Sequence, residues 1–195
     1  MYKYLKRLID FILALIGLIV LSPVFIIICI AIKLDSEGPI FFTQKRIARN
    51  KQYFKIIKFR TMDIHTPKDT PTHLLADSTN YITRVGKFLR KTSLDELPQI
   101  INILKGDMAI IGPRPCLYNQ YDLIKKRDEY GANDIRPGLT GWAQVNGRDE
   151  LPIAIKAKYD GYYVANYNFL FDCKCFIMTI TAVFKHKGVV EGKQN

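Results

Sequence analysis

The sequence predicts an α+β chain: an N-terminal membrane helix, residues 1–34, joined to a small, mostly helical domain, residues 35–195, with short strands and interfacial helices. Three observations carry that expectation. The stretch from Phe11 to Ile32, "FILALIGLIVLSPVFIIICIAI", holds no charged residue and is long enough to cross a bilayer as a helix. Residues 39–62, "PIFFTQKRIARNKQYFKIIKFRTM", read as two short strands around a basic turn. Several later runs have the spacing of helices, including two in the C-terminal part.

The first segment is too long for a signal peptide, and no small-x-small cleavage site follows it. Ser22-Pro23 falls at its middle, where proline removes a backbone donor and clashes with the preceding turn. Two topologies fit: a spanning helix with a kink, which membranes tolerate, or a helix–break–helix that enters and leaves by one face. Lys3, Lys6 and Arg7 precede the run, and Lys33, Lys45, Arg46, Arg49 and Lys51 follow it, so both flanks look cytoplasmic. Physics alone leaves both topologies open.

In the strand pair, Lys58 and Arg60 alternate with Ile57, Phe59 and Thr61, which predicts both cations on one face. "HTPKDTPTHLLADSTN", residues 65–80, is polar and proline-bearing, hence a loop, and "ITRVGKFLRK", residues 82–91, is a short basic helix. "KTSLDELPQIINILKGDM", residues 91–108, carries a capping-box pattern: Ser93 as N-cap, Asp95 and Glu96 in the first turn, and an end near Lys105-Gly106-Asp107. "MAIIGPRP" is a buried strand entering a Pro-Arg-Pro turn, "NQYDLIKKRDEYG" a helix, and "IRPGLTGWAQVNGR" a glycine-punctuated loop or short-strand region. The last helix, "NFLFDCKCFIMTITAVFKHKG", suits a buried core or an interfacial seat, its apolar face edged by Lys174, Lys185 and Lys187.

The net charge of +11, from 29 basic and 18 acidic residues, points to an anionic partner: nucleic acid, anionic lipid or a phosphorylated substrate. The four cysteines lack a disulfide or zinc pattern, so reduced thiols are expected. Arg114 stands between Pro113 and Pro115, where a stiff backbone suits a guanidinium that must grip phosphate bidentately. Arg136, before Pro137-Gly138, and Arg148, after Gly147, repeat the theme of arginine beside a turn. Asp95 could attack phosphorus to form an acyl-phosphate, with Mg²⁺ held by one or two carboxylates and by substrate oxygens. Helix N-terminal amides would keep it ionised, so capping and chemistry are compatible.

These residues bring a family into view. The hydrophobic N-terminus with Ser22-Pro23, "KFRTM" at 58–62, "LRKTSLDELPQIINILKGDMAIIGPRP" at 89–115 and "RPGLTGWAQVNGR" at 136–148 resemble the small monotopic phosphoglycosyl transferases of the bacterial sugar transferase family. The resemblance covers nearly the whole chain. It implies transfer of a sugar 1-phosphate from a nucleotide diphosphate sugar, here a UDP-N-acetylamino sugar, to undecaprenyl phosphate, with release of nucleoside monophosphate through a covalent aspartyl intermediate. Carried over, Asp95 is the nucleophile and Glu96 its partner in Mg²⁺ binding or proton handling. Arg90 and Arg114 are phosphate ligands, and the 136–148 loop lies near the nucleotide; Lys58, Arg60, Arg136 and Arg148 complete the candidate binding set. The family's N-terminal helix is re-entrant, broken at Ser22-Pro23, on the cytoplasmic face of the bacterial inner membrane, with other glycan-assembly enzymes as further partners. Two rival readings are a basic nucleic-acid or anion binder, for which no recognition motif is present, and a noncatalytic membrane scaffold, which has no need of Asp95 and Glu96 together.

Overall fold

A computed structural model describes residues 2–66, 81–147 and 151–184 of the chain. Helix α1, Tyr2–Asp35, is one unbroken helix with Pro23 inside it. Helical structure therefore continues through Ser22-Pro23, for a local reason. Proline has no N–H, so the carbonyl four residues earlier, Ile19, loses its helical donor. The Ser22 hydroxyl donates to that carbonyl at 2.8 Å. Helical pairing is repaired from a side chain, and the helix continues.

At 1.5 Å per residue α1 is about 50 Å long, and the domain touches it from end to end. Near its start, Lys6 is buried and pairs with Asp172 at 2.7 Å, and Asp10 accepts from the Ile110 N–H. Arg7 donates to the carbonyls of Ile103 and Leu104. These flanking charges are thus spent on protein, although the charge pattern reads as a membrane flank. In the middle Ala14 packs with Phe54, Ile56, Ile100, Ile103 and Met108. Near its end Ile28 and Ile32 pack with Phe59 and Leu89. The opposite face, including Leu8, Ile12, Ile19, Val20 and Ile27, is exposed.

Strands β1, Phe41–Ile47, and β2, Tyr53–Phe59, form the expected antiparallel hairpin, registered Phe41 to Phe59 and Ile47 to Tyr53. Asn50 and Lys51 take left-handed conformations in its turn. Helix α2, Arg84–Thr92, is capped by the Thr83 hydroxyl. Its Gly86 lies where a Cβ would sit 2.1 Å from the Thr61 carbonyl, so the helix closes onto the end of β2 only with glycine there. Helix α3, Gln99–Lys105, ends at Gly106 in the left-handed region, as the Lys-Gly-Asp stop predicts.

The rest forms a second layer. Strand β3, Ala109–Ile111, pairs in parallel with β4, Gly138–Thr140. Helices α5, Trp142–Val145, α6, Ile153–Ala165, and α7, Phe169–Phe184, pack around it, and α4, Tyr121–Asp128, packs on α6 and on Ile47 of β1. Tyr163, Phe171 and Cys175 close on Ile111, and a buried Arg127–Asp160 pair at 2.7 Å joins α4 to α6. The α+β class holds, with the short α5 where a loop or strand is expected. Most of the loop predicted over 65–80, residues 67–80, lies outside the described residues, as do Lys185 and Lys187.

Candidate active site

Asp95 and Glu96 occupy a single 3₁₀ turn, Leu94–Glu96, between α2 and α3. The capping box is not formed. Ser93 ends α2 in the left-handed region, φ 57°, ψ 17°, and its side chain makes no cap bond to the turn. A true N-cap needs an extended backbone that aims the hydroxyl at the next turn; Ser93 instead serves as the reversal that turns the chain out of α2. Leu94 and Leu97 pack into the cluster around Phe59 and Leu89, fixing the turn that carries the two carboxylates.

Glu96 is gripped. Its Oε1 accepts from Lys58 Nζ at 2.7 Å and from Arg114 Nη2 at 2.8 Å. Asp95 Oδ2 lies 3.9 Å from the same Lys58 nitrogen, and both carboxylates are mostly buried, 13% and 17% exposed. Their environments push them apart. Burial raises the Asp95 pKa, the Glu96 charge adds to it, and Lys58, Arg90 and Arg114 offset only part. For Glu96 burial also opposes ionisation, but Arg114 and Lys58 together outweigh it and hold the group far below the carboxylate range. Two adjacent acids thus take different characters, a fixed anion and a more basic one from which Lys58 stands 3.9 Å away.

Each cation is placed by its backbone. Lys58 stands near the end of β2, Arg90 in the last turn of α2, and Arg114, 37% exposed, between buried Pro113 and Pro115. Arg114→Lys keeps the charge but loses the planar fork; a fall of at least about fivefold in kcat/KM, roughly 1 kcal/mol, is expected. A loss under twofold in steady-state assays would show that a point charge suffices.

Two residues that sequence reasoning passes over hold these parts in register. Buried Asn102, an amide among the apolar residues of α3, accepts from the Ile57 N–H at 3.0 Å and donates to the Lys55 carbonyl at 2.8 Å. It pins α3 to β2 beside Lys58. Asn102→Ala strands both backbone groups and is expected to cost about 1–3 kcal/mol, read as a lower thermal midpoint. Arg46 of β1 braces the Pro-Arg-Pro turn by donating to the Pro115 carbonyl at 3.1 Å. An amide set directly between Ile101 and Ile103 is the signal that could have found Asn102.

Two other candidates are not brought to the carboxylates. Arg60 lies just past the end of β2, buried, and donates to the carbonyls of Ser36, Glu37 and Pro39. It clamps the exit of α1, so the shared face predicted for Lys58 and Arg60 fails where the strand ends. Arg136 donates to the Gly106 carbonyl at the far end of α3. Arg148 lies outside the described residues.

No cluster of three His, Cys, Asp or Glu side chains occurs among the described residues. A Mg²⁺ ion that draws most ligands from substrate oxygens and water needs only one or two carboxylates. Asp95 fits that need, and so does Glu96 Oε2, whose nearest donor, Arg114 Nη1, is 3.5 Å away.

The family model described as "Bacterial sugar transferase" matches residues 1–186. The chain belongs to the bacterial sugar transferase family. It is 36% identical to the "Uncharacterized sugar transferase EpsL" of Bacillus subtilis (strain 168), over 95% of this chain and 90% of that protein. It is 37% identical to the "UDP-glucose:undecaprenyl-phosphate glucose-1-phosphate transferase" of Escherichia coli (strain K12), over 95% of this chain and 41% of that protein. A third relative, the "UDP-N-acetylgalactosamine-undecaprenyl-phosphate N-acetylgalactosaminephosphotransferase" of Aeromonas hydrophila, is 36% identical over 96% of this chain and 45% of its own length. The sugar transferase thus spans under half of these two relatives with named donors and nearly all of the first.

Proposed function

We propose that this sugar transferase moves a sugar 1-phosphate from a UDP-sugar to undecaprenyl phosphate through a covalent intermediate on Asp95. The observation that carries the reading is the split dyad: Glu96 fixed by Lys58 and Arg114, with Asp95 beside it under the same cations and 3.9 Å from Lys58. In the first step an Asp95 oxygen attacks the phosphorus that bears the sugar. The bond to the nucleotide phosphate breaks, and its electron pair leaves with UMP. In the second step an oxygen of undecaprenyl phosphate attacks the same phosphorus, releasing the Asp95 carboxylate and forming the lipid diphosphate sugar. Lys58, Arg90 and Arg114 provide fixed positive charge where the phosphate oxygens gather. Mg²⁺ held by Asp95 and Glu96 would neutralise the diphosphate.

Both glucose and N-acetylgalactosamine appear in the relatives' names; an N-acetylated amino sugar is our proposal for the donor here. A panel of UDP-sugars with undecaprenyl phosphate, scored by UMP release from the purified chain, tests it. No release with any donor would overturn the enzyme reading, and release confined to UDP-glucose would overturn the choice of sugar.

We further propose a monotopic seat on the cytoplasmic face. In support, α1 meets one domain at both ends and in the middle, and exposed apolar side chains occur both on α1 and, as Phe176, Ile177 and Ile180, on α7. A spanning helix would carry one of those contact sets to the far side of a hydrocarbon layer of about 30 Å. Cysteines placed at Lys3 and at Ser36 in a cysteine-free background are expected to resist an impermeant thiol reagent added outside intact cells. Strong external labelling of either overturns this topology.

A further inference from the structure

We propose that Arg49 and Arg136, backed by Arg7, form a second anion site apart from the Asp95–Glu96 centre, one that takes the phosphate of an anionic phospholipid headgroup. They border a cavity of about 250 Å³ lined by Arg49, Asn50, Gln52, Tyr53, Gly106 and Arg136. Each lining arginine is tethered by one Nε bond, Arg136 to the Gly106 carbonyl at 2.8 Å and Arg49 to the Asp134 carbonyl at 3.1 Å. Neither has a carboxylate partner among the described residues. Their terminal nitrogens are left to meet an anion in fork geometry.

The surroundings favour an anion. Arg7, behind the lining, directs Nη1 and Nη2 to the Ile103 and Leu104 carbonyls, so it contributes charge rather than bonds. Its guanidinium lies against Gly106, where a Cβ would meet Nη2 at 3.3 Å. Burial and the charges of Arg7 and Arg49 disfavour the cationic form of Arg136, with Tyr167 and Asp10 acting the other way. The repulsion of Arg136 by Arg7 and Arg49 outweighs what Asp10 offsets, and an entering anion would relieve it. Asp107, the carboxylate in the lining, accepts from Asn102 at 3.3 Å.

Position and size decide the ligand. Gly106 caps α3 at the end away from the catalytic turn, about 10 Å along a helix of this length. The cavity is smaller than the roughly 300–1,000 Å³ of sites that enclose whole small-molecule ligands, a size that suits a single headgroup. Arg7 stands 5.7 Å from the ring of Phe11, which with Leu8 belongs to the exposed apolar face of α1. That places the cavity beside the surface that meets lipid, a step that rests on the monotopic seat proposed above.

The test is native mass spectrometry of the full chain in detergent, titrated with phosphatidylglycerol, phosphatidylcholine or glycerol 3-phosphate. The expected result is one retained phosphatidylglycerol, its affinity about tenfold or more weaker in Arg49→Gln and in Arg136→Gln, and unchanged in Lys55→Gln, a matched loss of one charge on β2. Arg49→Gln, at the hairpin turn, carries the test if Arg136→Gln does not fold. Retention unaltered in the folded arginine variants, or reduced no more than in Lys55→Gln, overturns the site. Glycerol 3-phosphate bound as tightly, with the same dependence on arginine, overturns the lipid assignment in favour of a soluble phosphate. Failure of the topology reading would show instead in the cysteine labelling, which these substitutions do not touch.

Discussion

Asp95→Asn is expected to lower turnover by about three orders of magnitude or more while leaving the protein no less stable than the parent. The two halves of that result come from different features. An amide cannot form an acyl-phosphate, so a two-step transfer stops at its first bond. Stability is spared because the native environment does not favour the Asp95 charge: burial raises its pKa, and the neighbouring cations compensate only in part. A group with a raised native pKa binds its proton more tightly folded than unfolded, so its ionised form weakens the fold at neutral pH. Neutral asparagine removes that cost. A helix-capping aspartate would behave in the opposite way, losing about 1 kcal/mol and keeping its activity, and the turn geometry already leaves Asp95 without that task. The decisive measurement is trapping. Enzyme, UDP-sugar and Mg²⁺ are mixed without lipid phosphate, quenched, and the peptide containing Asp95 is weighed. Sugar phosphate on that peptide, with UMP released, meets the two-step demand. UMP release only in the presence of lipid phosphate, with no adduct, would make a direct displacement the better account and Asp95 a metal ligand.

How far the sequence reveals this centre depends on whether local pattern or tertiary contact decides each residue. The proline-flanked Arg114 and the glycine stop at Gly106 are backbone signals, and the structure keeps both. Lys58 is legible from strand alternation, but Arg60, two residues on, is not: β2 has ended, and three carbonyls after α1 capture its guanidinium. Ser93 and Glu96 have capping-box spacing, yet Glu96 is more strongly held by Lys58 and Arg114, which come from distant parts of the chain, than by any local N–H. Arg136 follows the same logic, since a turn arginine can face either end of a short helix and the Gly106 carbonyl selects the far one. At Pro23 the local rule is correct about the lost donor but silent on the hydroxyl one residue earlier that answers the carbonyl.

Glu96→Gln should separate the dyad's two functions, because it damages fold and chemistry together. Glu96 is the hub on which Lys58 from β2 and Arg114 from the Pro-Arg-Pro turn converge, with Oε1 accepting from both. Its charge is held in the ionised form by those two cations against a burial that opposes it. The amide keeps the size and one acceptor but leaves mostly buried Lys58 and half-buried Arg114 without their shared anion, a loss of about 1–3 kcal/mol. The thermal midpoint should therefore fall, whereas Asp95→Asn leaves it in place. Turnover should also fall, by about 10²-fold or more, as the cations proposed to receive the phosphate lose their positions. Yet Asp95 remains a carboxylate, so a slow adduct should still accumulate on its peptide in the trapping experiment. Combining Glu96→Gln with Arg114→Lys should cost less than the sum of the two single effects, since both disturb one contact. Additive losses in that double-mutant cycle, or an unchanged midpoint for Glu96→Gln, would mean that the ion pairs around Glu96 do not organise this site.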